Sequence, residues 1–453
     1  MFFTEVKSLV RLAAPVSLAQ LCLVGMSATD VLIAGHAGTE ELAGMNLGSN
    51  TWNMIILFFM GIGFATQPLV AKYFGAKDAD GLKNQMHQSI WMCLVLGLLA
   101  TLVVWLAAWA LRFATFDASL KTIAVNYLLV ISFCALPIVL IPAFRGTLEG
   151  MNLTREVFAI NFVVFLFNIP LDYIFVEGLF GMPKLGGVGC ALATVFLIWL
   201  AVACFAMMLK HHSQTRGQNL LQHFKHPDRD VIIETFRLGL PIGVSIVIEL
   251  SMFAGAGMLI AFFGAVQVGA HAVAIIVASM SFMLYMGLAQ GVTIRASQFL
   301  GAGDPQAAWY TIKVGTSFNI MIACIFCIIF VLFNRPLVGL FSSDPEVISL
   351  AVTLLYFGAA FQLVDCLQIA DICALRAYHD TASPPKYQFV AFLLVGMPLG
   401  IGLSFYGWWP GLEGAKGMWA AMLFSLSLVS ALLTWRLWRH HKTINSQSFS
   451  LSG

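Results

Sequence analysis

Twelve long apolar segments limit what this chain can become. They run at roughly 8–35, 44–72, 84–111, 122–148, 155–177, 187–210, 234–263, 270–299, 308–333, 346–376, 387–407 and 415–438. Crossing about 30 Å of hydrocarbon takes about 20 apolar residues. Lipid offers no partners to a backbone, so each such segment must bond internally as a helix. With 60% of its 453 residues hydrophobic and only 10% charged, the chain cannot bury its apolar side chains in one water-surrounded core. A soluble domain carries about 25% charged residues. The expected fold is an all-α integral membrane protein of twelve transmembrane helices in two pseudo-symmetric six-helix lobes.

The connections between segments carry the orientation signal. Of the 24 Lys and Arg, only Arg112, Lys121, Lys184, Arg335 and Lys416 fall on one side. The other 19 share the side of both termini, which the positive-inside rule makes cytoplasmic. Adding or removing one span mid-chain would scramble this bias. Lys7 and Arg11 precede a first segment too long for a signal-peptide core, so no cleaved leader is expected. These features lead us to expect a multi-pass membrane protein with both termini cytoplasmic.

The polar stretch 211–233 separates two halves, so the expected division is 1–210, a cytoplasmic loop at 211–233, and 234–453. The halves repeat. Arg11-Leu12-x-x-Pro15 recurs as Arg237-Leu238-x-x-Pro241, and Gly75-Ala76-Lys77-Asp78 as Gly301-Ala302-Gly303-Asp304, both 226 residues later. Leu185-Gly186-Gly187 meets Glu413-Gly414-Ala415 at an offset of 228. Six spans per repeat preserve topology, which relates the halves by an axis along the membrane normal. Transporters built this way bind substrate between the halves and alternate access by rocking them.

Five acids lie within the apolar segments: Asp30, Asp172, Glu249, Asp365 and Asp371. An ionised side chain at the bilayer centre costs about 2.5–3.5 kcal/mol on insertion scales. No Lys or Arg lies mid-span to pair with them. Such carboxylates either hold protons and bond between helices, or bind a cation. Asn168 and Asp172 are i and i+4 and share a helix face, while Pro170 frees a nearby carbonyl. Ser245 and Ser251 flank Glu249. Gln362 and Gln368 lie one turn to either side of Asp365 as accessory candidates. Asp371, six residues from Asp365, does not share its face. An ion pair with Arg376, interfacial solvation and an accessory transport role are all open to it. His36 and His271 fall at outer span ends, where solvation is expected.

Other chemistries find no support. No G-x-x-x-x-G-K-[ST], H-E-x-x-H or G-x-S-x-G motif occurs, so neither an ATPase nor a hydrolase is expected, and no residue is assigned a catalytic role. Cys324 and Cys327 form a C-x-x-C pair inside an apolar run, where packing is the expected role. Basic residues fit topology, and no nucleic acid partner is expected.

Taken together, the residues resemble the multidrug and toxic compound extrusion (MATE) transporters, in their bacterial NorM-like branch. The resemblance rests on Ala14-Pro15 with Asp30, Asn168-Ile-Pro-Leu-Asp172-Tyr-Ile-Phe175, and Leu185-Gly-Gly-Val-Gly-Cys-Ala-Leu-Ala-Thr194. It continues through Arg237-Leu-Gly-Leu-Pro241 with Glu249, Gly291 to Gly301, and Asp365 to Asp380. It implies two lobes around a V-shaped cavity and antiport of cationic, amphipathic organic compounds. The coupling ion would be Na+ or H+, with no other cofactor. By position, Asp30, Asn168, Asp172 and Thr194 resemble the amino-terminal cation site. Glu249 and Asp365 resemble the carboxy-terminal one. If sodium is the ion, Asp30, Asn168, Asp172, Glu249 and Asp365 are its expected ligands. The expected partners are small organic cations and membrane lipid, with the chain a monomer. A lipid-linked oligosaccharide flippase is the alternative; it would favour a cationic cavity, which these spans do not supply.

Overall fold

The computed structural model describes residues 2–450 except 116, 182, 217–219, 222 and 223. It holds twelve helices long and apolar enough to cross a membrane: α1 Thr4–Gly35, α2 Glu40–Gly75, α3 Ala79–Leu111, α4 Ala118–Gly150, α5 Thr154–Glu177, α6 Gly187–His211, α7 Arg229–Ala261, α8 Ala265–Gly301, α9 Pro305–Leu332, α10 Pro345–Ala377, α11 Ser383–Phe405 and α12 Ala415–Thr443. The sequence reading placed every one of them. Most ends extend a few residues further, because the apolar run ends at the lipid boundary while the helix continues into the connection.

The chain folds as two compact units that do not divide at the polar loop. One comprises Leu18–Gly243; the other joins Met1–Ser17 to Val244–Gly453. Set beside the expected division into 1–210, 211–233 and 234–453, this grouping has the first half of α1 and the first half of α7 each packing with the opposite half of the sequence. The two breakpoints, after Ser17 and after Gly243, are 226 residues apart, the same offset as the sequence repeat.

Close helix approach explains both assignments. In the second unit, Gly287 and Gly291 on α8 bring the α1 backbone at Ser17 and Ala13 within 3.5 Å of where a Cβ would stand. Ser17 Oγ donates to the Leu284 carbonyl at 3.2 Å. Glu5 accepts Arg295 Nε at 2.5 Å and Thr311 Oγ1 at 2.7 Å. In the first unit the small residues sit on the other partner. Gly239 and Gly243 on α7 press on the carbonyls of Ile62 and Phe58 on α2. Small residues that admit neighbouring backbones favour helix association in lipid, where no hydrophobic effect drives it.

The repeats also share their corners. Lys77 and Gly303 both adopt positive φ, at 56° and 79°. The next residue then caps the following helix, Asp78 accepting from Gly81 N and Asp304 from Ala307 N, each at 2.9 Å. Asn152 and His379, 227 residues apart, form a second matched corner with φ of 66° and 61°. Gly186 and Gly414 form a third, at 56° and 61°. The residue after each donates its N–H to a side chain at the start of α2 or α8: Gly187 to Glu41 at 2.7 Å, Ala415 to Gln267 at 2.9 Å. The drift from 227 to 228 falls where α11 carries π-helical turns, Phe389–Gly396. A π-turn accommodates one extra residue in a helix, and Pro398 just beyond it withholds a backbone donor.

The loop 211–233, read as linker-like, is pinned to α3 where it is described. Trp91 Nε1 donates to the Lys225 carbonyl at 3.1 Å, and Gln88 bridges the His226 carbonyl at 3.0 Å and Asp228 N at 2.8 Å. Lys225 N donates to His87 Nδ1 at 3.1 Å, so Nε2 carries the hydrogen that meets the Leu220 carbonyl at 2.5 Å. Residues 217–219, 222 and 223 of this loop, and the His36 side chain, lie outside the described residues. His271 is half-buried and accepts from Trp419 Nε1 at 3.1 Å, so it is a packing residue more than a solvated one.

Candidate functional site

In the first unit, α1 and α5 bring three of the expected residues together. Asn168 Nδ2 donates to Asp30 Oδ1 at 3.1 Å and to Asp172 Oδ2 at 2.7 Å. The i, i+4 spacing puts Asn168 and Asp172 on one face, and both are fully buried. Asn168 Oδ1 and Asp172 Oδ1 have no hydrogen-bond partner among the described residues. Unmet acceptors at zero exposure are costly, about 1–3 kcal/mol each. A cation or a proton supplies what they lack. Thr194 on α6 is half-buried and makes no hydrogen bond to the three. One turn before it, Cys190 Sγ meets the Asp30 carbonyl at 3.7 Å.

In the second unit, Asp365 and Gln362 on α10 meet α8. Tyr285 Oη lies 2.8 Å from Asp365 Oδ2 and 2.9 Å from Gln362 Oε1, and Ser281 Oγ lies 2.7 Å from the same amide oxygen. Glu249 is not bonded to Asp365. It accepts Gln388 Nε2 at 3.2 Å from α11, and Ser245 Oγ donates to Gln388 Oε1. Gln368, one turn below Asp365, is buried, and its Oε1 has no partner among the described residues. Asp371 is buried and held by Thr434 Oγ1 at 2.5 Å. Among the described residues it makes no ion pair with Arg376.

Sequence reasoning missed Tyr285, Ser281 and Gln388. The signal available was a polar atom in an apolar run, which is weaker than a charge because a hydroxyl or amide is cheaper to bury. The donors around each acid are oxygens and amides. No group of three or more His, Cys, Asp or Glu converges among the described residues. Oxygen donors suit a hard cation or a proton, not a soft transition metal. The Cys324 and Cys327 thiols are free and reach the surface.

A multi-pass helical membrane protein with internally repeated units and one carboxylate cluster in each is a class that includes several transporter families. The MatE family model matches this chain twice, over residues 15–174 and 241–401, and the chain belongs to the MatE family. The two matches begin at Pro15 and Pro241, reproducing the 226-residue repeat. The multidrug resistance protein NorM of Vibrio cholerae serotype O1 is 31% identical over 435 residues, covering 96% of this chain and 95% of that protein. A probable multidrug resistance protein NorM of Idiomarina loihiensis is 31% identical over 448 residues, covering 98% and 96%. Among solved structures, a MOP superfamily transporter from Pyrococcus furiosus superposes with a TM-score of 0.88 at 18% identity, over 97% of each chain. The eukaryotic MATE transporter AtDTX14 does so with a TM-score of 0.84 at 18% identity, over 96% of each. These two likenesses establish the shared fold.

Proposed function

We propose that this chain exports cationic, amphipathic organic compounds in exchange for Na+ or H+ by alternating access, with both termini cytoplasmic. The observation that carries this reading is the first-unit cluster: two carboxylates share one donor, Asn168 Nδ2, and two fully buried acceptor oxygens have no partner among the described residues. Such a site is completed by binding a small cation. Full-length relatives carrying the name multidrug resistance protein support the substrate class. The 19-to-5 bias of basic residues supports the orientation.

In this reading Asp30, Asn168 and Asp172 hold the coupling ion in one unit, and Glu249 and Asp365 serve the other. Uptake of the ion lowers the cost of the buried carboxylates and biases the conformational equilibrium, and release resets it. Efflux of ethidium from loaded proteoliposomes tests the proposal, with sodium varied at fixed pH and pH varied at fixed sodium. Acceleration by either inward gradient is expected. Efflux indifferent to both gradients would overturn the reading.

A further inference from the structure

Four polar side chains step down α10 at three-residue spacing: Gln362, Asp365, Gln368 and Asp371, with exposures of 0%, 6%, 1% and 3%. Three residues of helix advance about 4.5 Å. Asp371 therefore lies about 9 Å beyond Asp365 and about 120° round the helix from it. The first two rungs join the Tyr285 cluster. The last has its own partner on a different helix.

Thr434 on α12 is that partner, and its hydroxyl has two acceptors within reach. Asp371 Oδ2 is 2.5 Å away and the Ser430 carbonyl 2.9 Å. A hydroxyl has one hydrogen to donate. If Asp371 is ionised, Thr434 must give that hydrogen to the carboxylate, and the contact with Ser430 is no longer a hydrogen bond. If Asp371 is protonated, its own O–H donates to Thr434 Oγ1 and the Thr434 hydrogen stays on Ser430. Both short contacts are then hydrogen bonds at once.

Among the described residues no neighbouring charge takes over this role, and Arg376, five residues along α10, makes no ion pair with Asp371. On α8, Tyr285 is committed to Asp365 and Arg295 to Glu5. On α12, Arg436 and His440 are committed to Asp380. On α9, Lys313 and Cys324 are exposed and Cys327 is half-exposed. Along α10 itself, Cys366 donates to the Leu363 carbonyl and Cys373 is buried. Thr434 is exposed, which gives the buried carboxyl a way to the surface of its unit.

We propose that Asp371, with Thr434 and Ser430, is a second proton-holding site of this unit, loaded and emptied separately from Asp365. The proton reaches Asp371 Oδ2 from the exposed side of Thr434, and it leaves by the same route. No other bond forms or breaks. The consequence for transport rests on the proposed ion-coupled efflux, but occupancy of the site does not.

Infrared spectroscopy of the purified protein reads that occupancy directly, through the C=O stretch of protonated carboxylic acids. Asp371→Asn should remove one such band at neutral pH. Thr434→Val, a surface change that should leave folding intact, should move the same band to higher frequency, because the acid loses its acceptor. An unchanged band set in Asp371→Asn would overturn the proposal. In proteoliposomes, Asp371→Asn should still drive ethidium efflux but move fewer protons per dye; a wild-type ratio would also overturn it. If the wild-type protein shows no gradient-driven efflux, the function proposed above fails, and the infrared band still decides the site.

Discussion

Asn168 on α5 reaches Asp30 on α1 at 3.1 Å, and in the other unit Gln388 on α11 reaches Glu249 on α7 at 3.2 Å. These are the first and fifth spans of each repeat, joined both times by an amide donating to a carboxylate. The bridges are not at equivalent positions. Offsets of 226 and 227 make Leu23 and Asn161 the counterparts of Glu249 and Gln388. Asp30 and Asn168 each lie seven residues beyond those counterparts, about 10 Å along two parallel helices. The repeat preserves which helices are bridged while the chemistry sits at two depths.

Neutralising one acid of either unit, Asp30 or Asp365, should stop ion coupling without unfolding the chain. Asp30→Asn and Asp365→Asn are expected to abolish gradient-driven ethidium efflux while membrane insertion stays normal. Asn168→Leu should act more mildly. It removes the shared donor, and hydrogen bonds to charged groups are worth about 1.5–3 kcal/mol. The half-saturating ion concentration should then shift roughly tenfold or more. Normal transport by both Asp variants would sink the site assignment.

Tyr285→Phe tests the residue that sequence reasoning passed over. Among the described residues its Oη is the only group bonded to both Asp365 and Gln362, and the ring is fully buried in the α8–α10 cluster. The Phe variant keeps the ring, so thermal stability should fall by only about 1 kcal/mol. The pH profile of efflux should move, because the Asp365 carboxyl loses its hydrogen-bond partner. An unmoved profile would mean that Tyr285 is structural only.

Lys77→Gly should stabilise the protein. A non-glycine residue at positive φ pays about 1–2 kcal/mol, part of which glycine returns as unfolded-state entropy. The matched corner already has Gly303 at φ 79°. We expect a gain of about 0.5–1 kcal/mol for Lys77→Gly and a comparable loss for Gly303→Ala, read as opposite shifts of the melting temperature in detergent. Equal responses at the two sites would show that the corners are not equivalent.

The parts of the molecule legible in the sequence are those that lipid forces. Each span shows because its backbone must bond internally, and each mid-span acid shows because burying it is costly. The corner at Gly186 shows because its φ of 56° and the Glu41 carboxylate beside it leave no room for a side chain. Partner choice among apolar helices does not show. Nothing in Leu9 or Ala13 marks α1 for the core formed with Val292 and Ala296, since one apolar stripe packs on another without a distinguishing charge. The same holds for Thr194, placed at the cation site by resemblance, where the contact with Asp30 comes from Cys190 one turn away.

Asp380 offers a pH-dependent test outside the spans. It sits in the corner between α10 and α11, accepting Arg436 Nε at 2.7 Å, Ser383 Oγ at 2.8 Å and His440 Nε2 at 2.9 Å. Burial pushes its carboxyl up, but the bonds from Arg436, Ser383 and His440 outweigh this and hold it below the usual carboxylate range. A carboxyl depressed in the folded state adds stability above its unfolded value of about 3.9, and that stability is lost as pH falls through the folded value. Asp380→Asn should thus lower the melting temperature by roughly 2–4 °C at pH 7. The gap to wild type should stay flat down to about pH 5 and close at still lower pH. A gap that persists at low pH would show that Asp380 contributes through packing and not through its charge.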